Sequence, residues 1–252
     1  MPTSKSIPRI NWFYFAAPQR FYALAGKLVP WFAAIGVVLM VYGLYLGLWV
    51  APTDATQGQA YRIIFVHVPT AWMSMVLYVA MAGWAGAGLV FNSRLASMMA
   101  CAIAPTGALM TFLALWTGAL WGKPTWGAWW VWDARLTSVL VLLFLYVGHI
   151  ALIRAFDDPQ RGYRAAAILA LVGLVNLPII KFSVDWWNTL HQPSTIRLTG
   201  APTMHVDMLW PLLVCALGFS LAFAAIVTVR LRAAVMERRV RGLLMARAER
   251  AA

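Results

Sequence analysis

Six long runs of apolar residues constrain the fold of this chain more than any other feature of its sequence. The runs cover residues 30–50, 69–91, 98–121, 136–156, 165–182 and 206–229. Each contains 18 to 24 residues. In an α-helix such a run spans roughly 27 to 36 Å, close to the roughly 30 Å hydrocarbon core of a bilayer. The sequence therefore predicts an all-α integral membrane protein with six transmembrane helices.

The composition excludes a soluble cytosolic enzyme. Hydrophobic residues make up 62% of the 252 residues and charged residues 11%, whereas soluble domains carry about 25% charged residues. Six crossings also leave no length for a large extramembrane domain. The stretch at residues 118–124 lacks the spacing and the final Ser or Thr of a Walker A motif, so we do not expect the chain to hydrolyse ATP by itself.

The distribution of lysine and arginine predicts the orientation of the helices. An even number of crossings places both termini on one side, and that side collects fifteen of the 20 basic residues, Lys5 and Arg9 among them. The other side carries five, namely Arg62, Lys123, Arg135, Lys181 and Arg197. Because cytoplasmic loops are enriched in Lys and Arg, we expect both termini in the cytoplasm. Three periplasmic loops are then expected near residues 51–68, 122–135 and 183–205.

This topology divides the chain into three segments. Residues 1–29 form a cytoplasmic, interfacial N-terminal segment, and the aromatic residues 12–15 within it are typical of a membrane anchor. Residues 30–229 form the membrane domain, with a tryptophan-rich periplasmic loop at residues 122–138. Residues 230–252 form a basic cytoplasmic tail. We interpret the tail as a topology signal that contacts lipid headgroups rather than as a nucleic-acid-binding segment.

The third and fourth predicted helices are joined by an unusually aromatic segment. Five tryptophans fall within residues 121–132. If the segment is helical, Trp126, Trp129, Trp130 and Asp133 share one face, and Trp132 lies beside them. Such a face is an aromatic shelf that ends in a carboxylate and suits a large planar ligand. The alternative is an ordinary aromatic belt at the membrane interface.

Two histidines are predicted to lie on the same side of the membrane as the shelf. His67 precedes Pro69 at the mouth of the second helix, in what we expect to be its first turn, and His191 lies in the last outer loop. Either histidine alone is typical of a hydrogen-bonding surface residue. Two neutral imidazoles beside an aromatic shelf indicate a haem site. His205 is a weaker third candidate, whereas His149 lies deep in its helix and is expected to pack against a neighbouring helix.

Haem carries two propionates, and arginine binds carboxylates through its planar guanidinium. Arg62 and Arg135 are the candidates on the outer side, with lipid headgroups as their alternative ligands. Asp133 is expected to pair with Arg135 or to orient a neighbouring group. Cys101 and Cys215 fall within apolar runs and are expected to be core residues.

The segment WGAWWVWDARLTS at residues 126–138 resembles the tryptophan-rich WWD signature of haem-handling membrane proteins. Within that group the length, the six predicted helices and the flanking histidines resemble the CcmC family of the bacterial cytochrome c maturation system. The similarity includes YRIIFVHVP at residues 61–69 and covers nearly the whole chain. The resemblance implies a bacterial inner-membrane protein without catalytic residues of its own.

The resemblance makes several of these expectations more specific and adds others. It implies that the protein binds haem b transiently at the periplasmic face, with His67 and His191 as axial ligands of the iron. It implies delivery of the haem to a periplasmic haem chaperone, CcmE. It also implies assembly with a small single-span subunit, CcmD, and with the ABC transporter subunits CcmA and CcmB.

Two other classes of protein are compatible with parts of the sequence. A haem-containing redox protein of the cytochrome b type holds its haem between histidines deep in the bilayer, but here His149 is the one deep histidine. A small-solute permease has broken helices and polar groups at the midplane of the membrane. Asn176 with Pro178 is the one candidate for such a break, and proline kinks are common in spanning helices.

Overall fold

The structure is a computed structural model, and it describes residues 17–193, 195–196 and 200–251. Lys5, Arg9, Arg197 and the aromatic residues 12–15 lie outside the described residues. Six helical segments among the described residues are long and apolar enough to cross a membrane, which confirms the predicted number of crossings. They are Pro18–Val50, Gln59–Phe91, Arg94–Trp126, Ala134–Arg154, Pro159–Trp186 and Val206–Ala251.

These segments contain seven α-helices. Helix α1 covers Pro18–Tyr45 and continues as a π-helical turn, Leu46–Val50, and a 3-10 turn, Gln59–Ile63, leads into α2, Ile64–Phe91. Helices α3 and α4 cover Arg94–Trp126 and Ala134–Arg154. The fifth segment consists of α5, Pro159–Val172, a 3-10 turn, Gly173–Val175, and α6, Asn176–Trp186. Helix α7 covers Val206–Ala251.

Local signals set several of these boundaries. The side chains of Ser93, Asp133 and Asp158 accept hydrogen bonds from backbone N–H groups in the first turns of α3, α4 and α5, as N-caps do. Helix α3 ends at Trp126, and the φ of 78° at the following Gly127 lies in the left-handed region that favours glycine. These signals define the starts of α3, α4 and α5 and the end of α3.

The fifth segment is interrupted near the middle. Pro178 has no backbone N–H and cannot continue the α-helical hydrogen bonding, and the 3-10 turn Gly173–Val175 precedes it. The side chain of Asn176 donates a hydrogen bond of 2.8 Å to the backbone oxygen of Ser138 in α4. The α-helix is therefore interrupted beside Asn176 and Pro178, the candidate for a break, and the side chain of Asn176 is bound to the neighbouring helix.

Helices α1 and α7 approach each other closely through small residues. A Cβ atom at Gly36 would lie 2.6 Å from the backbone nitrogen of Ala222, and one at Gly43 would lie 2.8 Å from that of Cys215. The neighbouring Gly47 instead faces the ring of Phe65 in α2. Glycines of α1 and of the π-helical turn that follows it thus allow close contact with two different helices.

His149 is buried, and its Nδ1 donates a hydrogen bond of 3.0 Å to the backbone oxygen of Ala166 in α5. This contact confirms the prediction that His149 packs against a neighbouring helix. Cys215 is also buried, as expected for a core residue.

Three connections meet at one end of the bundle, which we call the site end. They are residues 51–58, residues 127–133 and the segment that follows α6. The indole nitrogen of Trp121 donates to the side-chain oxygen of Gln57 at 2.7 Å, and Thr189 donates to Asp133. The first contact joins residues 51–58 to α3, and the second joins residues 127–133 to the segment that follows α6. The membrane face on which the site end lies stays a prediction from the charge distribution.

The close approach of α1 and α7 gives a first testable prediction. Replacing Gly36 with Ala forces the two backbones apart, and overpacking of this kind costs about 1 to 3 kcal/mol. We expect a lower midpoint of thermal unfolding for the purified protein in detergent. Gly83→Ala in α2 is the control, because a Cβ atom there meets no other heavy atom within 4 Å. Equal midpoints for the two variants would contradict this account of the packing.

Candidate functional site

A cavity of about 220 Å³ lies at the site end of the bundle. Its lining is mostly apolar and comes from α2, α3, α4, α6, α7, residues 127–133 and the segment that follows α6. Its polar lining includes His67, Arg135 and His191. Its aromatic lining consists of Trp72, Trp121, Trp126 and Trp130. The cavity therefore combines two imidazoles, a guanidinium group and an aromatic wall.

His67 lies in the first turn of α2, as the sequence predicted, because α2 begins at Ile64 after the 3-10 turn Gln59–Ile63. Its side chain is buried, with 9% of its surface exposed. Its Nδ1 lies 3.0 Å from the hydroxyl oxygen of Thr117 in α3. Its ring also meets that of Trp121 edge to face, at 5.6 Å between centroids. Contacts from α3 hold this imidazole in place.

His191 lies in the connection after α6 and is half-buried. Its Nδ1 is 2.8 Å from the backbone oxygen of Gln192 and 3.2 Å from a guanidinium nitrogen of Arg135. Burial, followed by the nearby positive charge of Arg135, lowers the pKa of His191 below its ordinary value. The ring is therefore neutral at pH 7, which is the form that binds a metal.

The two imidazoles lie close together in the lining of the cavity. Their ring centroids are 6.4 Å apart and their planes are inclined by 37°. Two imidazole nitrogens that share one metal ion, each at about 2 Å, place their ring centroids roughly 6 Å apart. The hydrogen bonds of both rings involve Nδ1, so Nε2 is the nitrogen left for a ligand. The spacing fits one metal ion between His67 and His191.

Two imidazoles suit an ion that brings its remaining ligands with it. No group of three or more His, Cys, Asp or Glu side chains suited to a metal ion occurs among the described residues. The iron of haem already has four porphyrin nitrogens and accepts one or two axial ligands from protein. The donor set therefore fits haem better than a free metal ion.

Of the two arginines predicted to bind haem propionates, one lines the cavity and the other does not. Arg135 lines the cavity, and its guanidinium group donates to the hydroxyl of Ser183 and the backbone oxygen of Lys181, both at 3.1 Å. Arg62 donates to the backbone oxygens of Gly47 and Ala51, both at 2.7 Å. These are carbonyl groups at the end of α1, where a cation is favourable. Arg62 thus holds the end of α1 and does not reach the cavity.

The tryptophan-rich segment does not form the continuous helix that the predicted aromatic shelf requires. Helix α3 ends at Trp126 and α4 begins only at Ala134, so the spacing of a helical face does not apply to the residues between. Trp126 and Trp130 line the cavity, and the ring centroid of Trp126 is 6.0 Å from that of His191. Trp129 and Trp132 are 55% and 77% exposed. The shelf is therefore divided into a cavity wall and an exposed rim.

Asp133 connects the tryptophan segment to the segment that carries His191. One carboxylate oxygen accepts from the backbone N–H of Leu136 at 2.7 Å, and the other accepts from the hydroxyl of Thr189. That hydroxyl oxygen accepts from the backbone N–H of His191 at 3.1 Å. The expected pairing of Asp133 with Arg135 is not the arrangement observed. Asp133 instead orients its neighbours, which was the alternative.

Some residues of the site were not predicted from the sequence. Trp72, Trp121 and Thr117 lie within apolar runs, where side chains are expected to face lipid or the core. Thr117 and Trp121 are four residues apart on α3 and therefore share a face, which is the one sequence signal that links them. His205, the weaker ligand candidate, is exposed and lies beside Asp207 at 3.5 Å, and it does not line the cavity.

Fold and site together define a multi-pass membrane protein with two opposed histidines in an aromatic-walled cavity at one end of its helix bundle. The family model for haem exporter protein C, CcmC, matches residues 11–246. The chain belongs to this family. Its members are membrane components of haem transfer and not enzymes.

Individual relatives show the same similarity. The haem exporter protein C of Bradyrhizobium diazoefficiens is 51% identical over 94% of this chain and 90% of its own length. The protein of the same name in Escherichia coli K12 is 51% identical over 86% of this chain and 87% of its own length. A putative cytochrome c biosynthesis ccmC-like mitochondrial protein of Marchantia polymorpha is 44% identical over 84% of this chain and 88% of its own length.

The contacts of Asp133 give a second testable prediction. Asp133→Ala removes the N-cap of α4, which costs about 1 kcal/mol, and it also removes the acceptor of Thr189. We expect faster amide hydrogen exchange at Leu136 and His191 in the ligand-free protein. Asp185→Ala is the control, because Asp185 is an exposed acid of α6 near the same end. Unchanged exchange in Asp133→Ala would show that Asp133 does not hold this segment.

Proposed function

We propose that the protein binds haem b transiently between His67 and His191 and delivers it to a periplasmic haem chaperone, CcmE, during cytochrome c maturation. The observation that carries the proposal is the opposed pair of imidazoles, 6.4 Å apart between ring centroids. The family to which the chain belongs supports haem as the cargo.

In the proposed complex, different residues of the cavity contact different parts of haem. Nε2 of each histidine binds the iron, while Trp126 and Trp130 pack against the porphyrin. Arg135 lines the same cavity and is the candidate for a propionate. Arg62 is no longer a strong candidate, since its guanidinium group already binds carbonyl groups of α1.

We place the site end on the periplasmic side of a bacterial inner membrane. The excess of lysine and arginine around the termini and the opposite connections supports this orientation. The exposed Trp129 and Trp132 then border the cavity on the side from which a periplasmic acceptor approaches. Aromatic side chains with a large exposed area are common at sites of protein association.

The proposed partners follow from the family. They are the acceptor CcmE, the single-span subunit CcmD and the ABC transporter subunits CcmA and CcmB. The chain lacks a Walker A motif, so ATP hydrolysis in such a complex belongs to a companion subunit. The transfer itself needs only binding and positioning of haem against the acceptor, which accelerate a reaction by proximity.

The two alternative functions have less support. A cytochrome of the b type needs paired histidines within the bilayer, but His149 bonds to the backbone of α5 and the other pair lies at the site end. A permease needs a polar pathway at the break in the fifth segment. Asn176 there is bound to the backbone of Ser138, which is a structural use of that polar group.

The ligand assignment gives a third testable prediction. In haem titrations of the purified protein, His67→Ala and His191→Ala should each convert a six-coordinate, low-spin absorption spectrum to a five-coordinate one or abolish binding. Added imidazole should restore the low-spin spectrum. His205→Ala is the matched control, because His205 is an exposed histidine outside the cavity. A low-spin spectrum unchanged in both His67→Ala and His191→Ala would refute the assignment.

The division of the tryptophans gives a fourth prediction. Trp126→Ala and Trp130→Ala should each weaken haem binding without abolishing it, since an aromatic pair contributes about 0.5 to 1.5 kcal/mol beyond its buried area. Trp129→Ala and Trp132→Ala should leave the dissociation constant of haem unchanged and slow its transfer to CcmE. The two measurements are a haem titration and a time course of haem appearing on purified CcmE. Equal effects of all four changes on haem affinity would contradict the division.

A further inference from the structure

The hydroxyl group of Thr117 lies beside His67, and its hydrogen bonds determine which nitrogen of the His67 ring carries the proton. Its oxygen is 2.6 Å from the backbone oxygen of Leu113 and 3.0 Å from Nδ1 of His67. A carbonyl oxygen has no proton, so the single hydroxyl proton is donated to Leu113. The hydroxyl oxygen therefore accepts from His67, and Nδ1 of that ring carries the proton.

We infer that Thr117 is a positioning residue that fixes the tautomer of His67 and so presents Nε2 to the iron of haem. The inference rests on the proposed function, because it takes haem as the ligand. In a neutral imidazole with a proton on Nδ1, the lone pair that binds metal is on Nε2. A hydrogen bond accepted from the distal N–H also makes the ligating nitrogen more basic.

The surroundings of the ring limit its other orientations. A Cβ atom at Gly118 would lie 3.1 Å from Cε1 of His67, so the ring packs directly on the backbone of α3. Trp121 bounds it on another side, edge to face. A ring flip would replace Nδ1 with a carbon atom next to the Thr117 hydroxyl and lose the hydrogen bond of a buried group.

His191 shows why the fixed tautomer of His67 matters. Its Nδ1 lies near both a carbonyl oxygen, that of Gln192, and a guanidinium donor, that of Arg135. The carbonyl favours a proton on Nδ1, while the guanidinium group favours a proton on Nε2, which would block binding to iron. Of the two rings, His67 is thus the one whose tautomer is determined by its contacts.

The test removes the hydroxyl group of Thr117 while keeping its shape. Thr117→Val deletes the acceptor, Thr117→Ser retains it, and Thr117→Ala deletes it without adding bulk in case the valine variant does not fold. Thr111→Val is the matched control. Thr111 is a buried threonine of the same helix, its hydroxyl donates to the backbone of Gly107 at 2.8 Å, and it does not line the cavity.

Two measurements read out the effect in full-length protein in lipid nanodiscs. The first is the nitrogen-15 spectrum of ligand-free protein with labelled histidine, with the His67 signals assigned by their loss in His67→Ala. We expect Nδ1 of His67 to be protonated in the wild type, Thr117→Ser and Thr111→Val. In Thr117→Val and Thr117→Ala, a signal from protonated Nε2 should appear.

The second measurement is the haem dissociation constant from an optical titration. Loss of a partner of this kind weakens metal binding by about 10-fold to 100-fold, so Thr117→Val and Thr117→Ala should bind haem more weakly by that factor. Thr117→Ser and Thr111→Val should bind like the wild type. The inference is overturned if the Thr117 variants without a hydroxyl match Thr111→Val in both measurements.

Failure of the proposed function is a separate result. If His67→Ala and His191→Ala leave the haem spectrum unchanged, the ligand assignment is wrong whatever the Thr117 variants do. If those histidine variants lose the low-spin spectrum while Thr117→Val and Thr117→Ala keep wild-type affinity and tautomer, the ligands are right and the role of Thr117 is refuted.

Discussion

The packing of His67 of α2 against the backbone and the hydroxyl group of α3 is the contact on which the rest of the site depends. Gly118 leaves room for the ring, and Thr117 binds its Nδ1. A burial of this kind costs free energy unless the polar atoms of the ring are satisfied, and the hydroxyl group satisfies one of them. The other nitrogen is left for the cavity, opposite a second histidine.

The opposite side of the cavity has a different construction. His191 lies outside the helices, and its position follows from side chains that join separate connections at the site end. Asp133 caps the start of α4 and also accepts a hydrogen bond from Thr189, whose hydroxyl oxygen accepts from the backbone N–H of His191. The aspartate of the tryptophan-rich segment thus acts on the backbone that carries His191 rather than on the imidazole ring itself. This gives a physical reason for a carboxylate at that position beside an aromatic wall.

Much of this architecture could be predicted from the sequence because its signals are local. Apolar runs of membrane-spanning length specify the six helices, which the structure confirms. The capping residue Asp133 and the left-handed Gly127 also specify the ends of α4 and α3. The prediction of one helical face from Trp126 to Asp133 was wrong. Gly127 is the local signal in the sequence that argues against such a continuous helix.

Other features depend on contacts between distant parts of the chain and have no local signal. Arg62 binds backbone oxygens at the end of α1, and this contact depends on how the first connection folds back. The sequence shows only the charge of Arg62, which suggested that it binds a haem propionate. The burial of His67 depends on its packing against Thr117 and Trp121 of α3, which the apolar run of α2 does not specify. The pairing of Thr117 with His67 joins residues that are 50 positions apart.

The central claim is that one haem iron lies between His67 and His191. The most direct test is an electron cryo-microscopy structure of the full-length protein loaded with haem in a lipid nanodisc. The account predicts iron density between the two rings, bound by Nε2 of each, with the porphyrin against Trp126 and Trp130. Haem bound elsewhere, for example on the exposed Trp129 and Trp132 with both histidines unbound, would contradict it.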